Sequence, residues 1–301
     1  MNPPIPCFLC GSSDWKETGV ETADGRLAQC AGCGLVTIEP AAVSAPEHNR
    51  SEYSQAGSAF PADLDEKFLQ WSEFRLQQLR SVQPDARRIA EVGCGTGHFL
   101  EAAARAGLDA MGFDMADHRR TAIESRFESG ADPFELLGVN RWDAVVAFHV
   151  LEHCPEPKRC VERMASSLRP GGFAFVEVPG VLDDEPLSPV VVNPSHQWYF
   201  SERTLRRLFE QCGGKVERVE HVGWKYSDLE KRAAAGEHLS AAWRLFKGSV
   251  PPACADWARR ALKPQKEKLV EAMSVCERPM AERKSDAPLN LCVLARFGER
   301  S

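Results

Sequence analysis

The sequence predicts an α/β fold built on a mainly parallel sheet. Three observations carry that prediction. Short apolar strands alternate with helical stretches between residues 89 and 178. One strand (Ile89, Ala90, Val92) runs into glycines at every second position, Gly93, Gly95 and Gly97, and then into an Ala-rich helical run. Strand, glycine turn and helix in that order make a nucleotide-binding crossover. Residues 142–148 are nearly all apolar, as in a central strand covered on both faces.

Composition bounds the function. The chain has 301 residues, enough for one or two domains, and a formal charge of −6, which argues against a general nucleic-acid-binding surface. No stretch is long and apolar enough for a membrane span, and the first residues lack the basic and apolar regions of a secretory signal, so the cytoplasm is the expected location.

Residues 1–42 are expected to form a small separate module. Cys7 and Cys10 make one CxxC pair, Cys30 and Cys33 another, and each pair is followed by glycine. Two such knuckles suit a closed, structural Zn²⁺ site of four thiolates, with a short hairpin between them. A redox dithiol would be a single CxxC at a helix start. Residues 35–38 read as a strand leaving the second knuckle. Residues 43–86 are a connector and a lead-in helix, spanning 63–83 with Asp63 as its cap.

The catalytic domain is expected over 87–301. The helix after the glycine loop stops at Gly107, and a second strand ends at Asp114, 17 positions after Gly97. An acid there accepts hydrogen bonds from ribose hydroxyls; the alternative is a helix N-cap for residues 115–118. A short third strand is expected within 123–128. Asp132 lies on a loop within reach of an adenine amino group. The central strand runs into His149, with Glu152 and His153 expected at the start of the next helix, whose run is read as Pro157 to Leu168. A fifth strand (173–178) and a long loop bearing His196 follow. All of these sites fall at the carboxyl ends of the strands, where such sheets bind ligands.

As an ordered set, Glu91-Val-Gly-Cys-Gly-Thr-Gly97, Gly112-Phe-Asp114, Trp142-Asp143 leading to His149-Val-Leu-Glu-His153, and Leu168-Arg-Pro-Gly-Gly172 resemble the motifs of class I S-adenosylmethionine-dependent methyltransferases. The resemblance covers about 87–224. It implies a Rossmann-like, mainly parallel sheet whose last strand is antiparallel. It also implies that Glu91, Gly93, Cys94, Gly95 and Gly97 hold the methionine end of S-adenosylmethionine and that Asp114 binds its ribose. Asp132 and His149 complete the expected cofactor contacts. The knuckles resemble the zinc-binding module of some bacterial sugar and natural-product methyltransferases. The segment His196-Gln-Trp-Tyr-Phe-Ser201 resembles one common in small-molecule members. A dinucleotide would want G-x-G-x-x-G, whereas here His98 occupies the place after the early third glycine.

Methyl transfer needs an aligned acceptor and, for a hydroxyl or carbon acid, a base. His149, Glu152, His153 and His196 are the candidates, His149 more as a contact than as a base. Glu152 and His153 have the alternative of capping a helix and fixing a loop, and His196 of anchoring its loop by packing. Near the C-terminus a helix starting at Ser201, a strand over 216–224 and a last strand over 291–297 are expected. A helical insertion between them (227–287) serves as an acceptor lid, a homodimer face or padding. The expected acceptor is a small molecule: a sugar nucleotide, a glycan end or a natural-product intermediate. The alternative is a nucleic-acid or protein methyltransferase that docks its substrate through the ribbon.

Overall fold

A computed structural model describes residues 6–22, 25–38, 62–115, 126–129, 132–183, 187, 196–225 and 288–298. The chain divides into two compact units, Met1–His221 with Asn290–Ser301, and Val222–Leu289. Of the second, only 222–225 and 288–289 are described. The connector at 43–61, the side chain of Asp63, the helix expected after Met115, most of the loop before His196 and the insertion at 227–287 lie outside the described residues.

The N-terminal strands β1 (Trp15–Thr22) and β2 (Gly25–Cys30) form the expected antiparallel hairpin between the knuckles, and β3 (Val36–Ile38) pairs with β2. Helix α1 (Ala62–Val82) follows. It buries Ser72, Leu76 and Leu79, which are four and three residues apart and share one face. The main sheet then unfolds in order: β4 (Arg88–Val92), α2 (His98–Arg105), β5 (Asp109–Asp114), β6 (Phe127–Ser129), β7 (Trp142–Phe148), α3 (Pro157–Ser167) and β8 (Leu168–Pro179). After β9 (Trp198–Tyr199) come α4 (Glu202–Gln211), β10 (Lys215–Lys225) and β11 (Pro288–Arg296).

The seven-stranded sheet has the order β10-β11-β8-β7-β4-β5-β6. The pairs β4–β5, β4–β7, β5–β6 and β7–β8 are parallel, and β11 lies antiparallel to β8. This is the expected Rossmann-like sheet. Its centre is dry: Ile89, Ala90, Val92, Val145, Val146, Ala174, Val176 and Val293 are buried. Asp143 ties two strands at their start. One oxygen accepts from the N–H groups of Arg87 (2.9 Å) and Arg88 (2.8 Å), the other from the Arg169 guanidinium (3.0 Å).

One local outcome differs from expectation. Glu152 and His153 do not open the following helix. They sit in a separate 3₁₀ turn, Leu151–His153, while α3 begins at Pro157 as its run predicts. Pro155 and Pro157 are the reason, because a residue before proline is pushed out of the helical region; Cys154 is extended at φ −75° and ψ 130°. At the start of α4, Thr204 completes a reciprocal capping box with Ser201 in the place usually held by Glu.

The ribbon sheet has a fourth strand that its own sequence does not foretell. β9 pairs antiparallel with β3, Val36 opposite Tyr199 and Thr37 opposite Trp198. The Thr37 hydroxyl donates to the Gln197 carbonyl at 2.8 Å, and the rings of Phe8 and Trp198 meet edge to face with centroids 4.8 Å apart. The knuckle strands therefore hold the chain segment that follows His196.

Candidate active site

The glycine loop is built by backbone conformation. Gly93, Gly95 and Gly97 all have positive φ (70°, 48° and 81°). Gly93 N–H donates to the Phe113 carbonyl at 2.7 Å. A Cβ on Gly93 would lie 2.3 Å from Val150, whereas one on Gly95 would meet nothing within 4 Å. The loop is thus packed from below at Gly93 and open above Gly95. Asp114, at the end of β5, accepts from the Gly95 N–H at 2.8 Å and so fixes the loop's crest. The Cys94 thiol is buried, close enough to Gly112 that a Cβ there would sit 2.7 Å from its sulfur, so Cys94 offers its neighbourhood a backbone rather than a side chain.

Glu91 is buried beneath the loop, and its Oε2 has no hydrogen-bond partner. Burial pushes its carboxyl well above the usual range, Arg75 opposes this and Asp114 adds to it. An unsatisfied buried carboxyl under an open glycine crest fits the cationic amino group of an amino-acid cofactor. Asp132 uses Oδ1 to accept from the Phe134 N–H at 3.0 Å and holds its own turn.

The second cluster lies past the end of β7. His149 has φ 57°, a left-handed conformation rare for a non-glycine residue and often found at working sites. Its N–H donates to the Glu177 carbonyl at 2.8 Å. Its ring lies between two carboxylates, Nδ1 3.5 Å from Glu152 and Nε2 3.1 Å from Glu177. Partial burial works against charge on the ring, whose side chain is 40% exposed, but Glu152 and Glu177 outweigh it and raise its pKa to about 9. His149 is an imidazolium at neutral pH and holds its proton rather than taking one. His196 is the opposite case. Burial is the largest influence and lowers it to about 4, despite Glu152, so it is neutral. The rings of His153 and His196 meet at a right-angled tilt, with centroids 4.8 Å apart, over the fully buried Glu152. The Gln197 N–H donates to the Glu152 carbonyl (2.8 Å) and the Trp198 indole to the Cys154 carbonyl (2.8 Å), which straps the two segments together.

Three residues of this network are absent from the sequence-level candidates. Glu177, on β8, is fully buried, and Arg75 of α1 binds it with two parallel bonds of 2.8 Å each. Burial opposes ionisation of Glu177, but Arg75 and His149 hold it well below the usual carboxylate range. Asn290 on β11 donates to Glu177 at 2.9 Å. The available signal was an acid inside the otherwise apolar run 173–178 and an arginine on the apolar face of a helix.

The four knuckle cysteines converge. Cys7 and Cys33 sulfurs are 3.7 Å apart and those of Cys10 and Cys30 3.4 Å, with all four within 4.8 Å. Gly11 (φ 78°) and Gly34 (φ 84°) close the two turns, each donating its N–H to the first cysteine of its pair.

Residues 64–219 match the family model described as a methyltransferase domain. The chain belongs to this methyltransferase family. Its similarity to curated proteins is more local. It is 37% identical over 99 residues to the ubiquinone biosynthesis O-methyltransferase of Bordetella avium, covering 30% of this chain and 41% of that protein. It is 26% identical over 171 residues to the protein of the same name from Aromatoleum aromaticum, covering 50% and 72%. The chain spans about half the length of most of the curated relatives it matches. Among solved structures, the methyltransferase resembles a SAM-dependent methyltransferase from Archaeoglobus fulgidus with a TM-score of 0.50 and 17% identity, covering 77% of this chain and 97% of that one. At that identity the likeness concerns the fold. Among the described residues, no helix is long and apolar enough to cross a membrane.

Proposed function

We propose that this methyltransferase moves the methyl group of S-adenosylmethionine to a hydroxyl oxygen of a small acceptor. The observation that carries the proposal is the pairing of two adjoining sites at one sheet edge. One is an open glycine crest over an unsatisfied Glu91. The other is a compact cluster of Glu152, His153 and His196 beside His149. When bound, the cofactor supplies an electrophilic methyl on a sulfonium. Glu91 and the loop of Gly93, Cys94, Gly95 and Gly97 receive its amino-acid end, Asp114 its ribose and Asp132 its adenine. His149, protonated, orients and does not deprotonate. The neutral His196, with His153 beside it, faces the acceptor.

Oxygen is favoured as the methylated atom because the relatives are named O-methyltransferases. An acceptor drawn from sugars or natural products remains within the proposal. The ribbon supports a small acceptor over a macromolecular one: its third strand is occupied by β9, and the net charge of −6 offers a nucleic acid little. Four convergent thiolates support a structural Zn²⁺ in the ribbon, since ligands about 2.3 Å from a tetrahedral ion lie roughly 3.8 Å apart. The test is a methyl-transfer assay with S-adenosylmethionine across hydroxylated aromatics and sugar nucleotides. Methyl ethers are expected as products; calorimetry that finds no binding of S-adenosylmethionine would overturn the proposal.

A further inference from the structure

We propose that Glu152, His153 and His196 bind a divalent transition-metal cation, which takes the acceptor's hydroxyl oxygen as a further ligand. This rests on the hydroxyl-methylation reading above. Glu152 Oε1 lies 3.8 Å from His153 Nε2 and 3.9 Å from His196 Nε2. One ligand atom from each of the three residues lies within 4.8 Å of the others. The carboxylate–imidazole spacings are longer than hydrogen bonds. The imidazoles face the carboxylate without bonding to it.

The unsatisfied atoms point the same way. Both Glu152 oxygens are buried with no hydrogen-bond partner. A fully buried carboxylate whose contacts to imidazole nitrogens are 3.5 Å (His149) or longer and include no hydrogen bond is costly, and a metal ion is one way such a group is satisfied. A cation about 2.1 Å from each donor draws them together by a few tenths of an ångström to an ångström and satisfies the carboxylate.

The donor set selects the class of ion. Two imidazoles and one carboxylate suit Zn²⁺, Co²⁺, Fe²⁺ or Mn²⁺, while Ca²⁺ and Mg²⁺ want oxygen ligands. Three protein ligands leave a coordination position open, as catalytic sites do and the four-thiolate ribbon does not. The donors are also held in advance. The turn carrying Glu152 and His153 is tied to His196's segment through Gln197 and Trp198, and that segment is a strand of the ribbon sheet.

The cation supplies the activation that a hydroxyl acceptor needs. Binding of the hydroxyl oxygen lowers its pKa. The O–H bond breaks with the proton released to water. The oxygen's electron pair forms the new O–CH₃ bond as the S–CH₃ bond breaks, with that pair remaining on sulfur.

Co²⁺ titration of the full-length, zinc-loaded protein tests the site. Co²⁺ held by nitrogen and oxygen gives weak visible bands, whereas thiolate-bound Co²⁺ gives intense sulfur-to-metal charge transfer. One equivalent with the weak bands is expected. In His196→Gln, and separately in His153→Gln, at least tenfold weaker Co²⁺ binding is expected, with calorimetric affinity for S-adenosylmethionine kept as evidence of an intact fold. Absence of the weak bands in the parent, or equal affinity in both variants, would overturn the proposal. Full-rate methyl-ether formation by metal-stripped protein would also overturn it while leaving the hydroxyl reading standing. Co²⁺ bound as expected with no hydroxyl methylated would instead sink that reading and spare the metal site.

Discussion

Gly93 and Gly95 share a backbone conformation but not an environment, and substitution separates their roles. Gly95→Ala places a methyl in open space at φ 48°, so only the left-handed strain of about 1 kcal/mol falls on stability. Cofactor affinity is expected to fall far more than the melting temperature. Gly93→Ala drives a methyl to 2.3 Å from Val150 and adds overpacking to strain, so stability falls by about 3 kcal/mol. Glu91 adds a pH signature. Its folded pKa lies well above the ordinary value of about 4.3, so the folded state holds the proton more tightly than the unfolded chain. In the cofactor-free protein Glu91's own contribution is therefore fully present below about pH 4.3 and is lost as pH rises through the folded pKa, opposite in sign to that of the lowered carboxylates. Glu91→Gln does not show that loss, which thermal melts at stepped pH will reveal. The same variant is expected to bind S-adenosylmethionine roughly ten- to a hundredfold more weakly, through loss of a charged hydrogen bond. The glycines and Asp114 were legible in sequence because their spacing is local. Glu177 and Arg75 were not, since their bond joins residues 102 apart in sequence.

At the level of elements, Asp143 staples the first turn of β4 to β7. Partial burial opposes its ionisation, yet the N–H groups of Arg88 and Arg87 and the Arg169 guanidinium outweigh this and hold it below the usual carboxylate range. Its contribution is present above the unfolded value of about pH 3.9 and is lost as pH falls through the folded one. Asp143→Asn is expected to cost about 1–3 kcal/mol at pH 7 in denaturant melts, with the gap from the parent shrinking in acid. Helix and strand bounds were largely readable from apolar periodicity: α1 and β11 begin within three residues of their expected starts. The 3₁₀ turn at Leu151–His153 was misjudged although its cause is local. Two prolines interrupt what the apolar pattern alone continues, and that interruption turns Glu152 and His153 toward His196 instead of stacking them on α3.

For the whole molecule, the decisive contact is between β3 and β9, which ties the strands of the cysteine knuckles to the segment that follows His196. Stripping the Zn²⁺ proposed for the ribbon with a thiol-specific mercurial, or replacing Cys7 and Cys10 together by Ser, is expected to loosen the segment from His196 to Phe200. Hydrogen exchange will show faster amide exchange there and on β3, with the β4 and β7 amides unchanged. Calorimetry will find S-adenosylmethionine affinity reduced less than threefold while methyl transfer falls at least tenfold. Sequence alone placed the knuckles and His196 in separate parts of the chain. Nothing in the text of either segment announces a two-residue strand pair, because pairing depends on a partner brought in by the intervening sheet.

That pairing also sets an order of events during synthesis. Thr37 and Trp198 are register partners, so the ribbon's last edge stays open while some 160 further residues are made, on the order of ten seconds or more at common translation rates. The nascent chain carries an incomplete sheet with an unpaired edge throughout that interval. Early metal capture by the knuckles would keep β1 to β3 in register while they wait. The histidine-bearing segment would then arrive last, onto a template already formed.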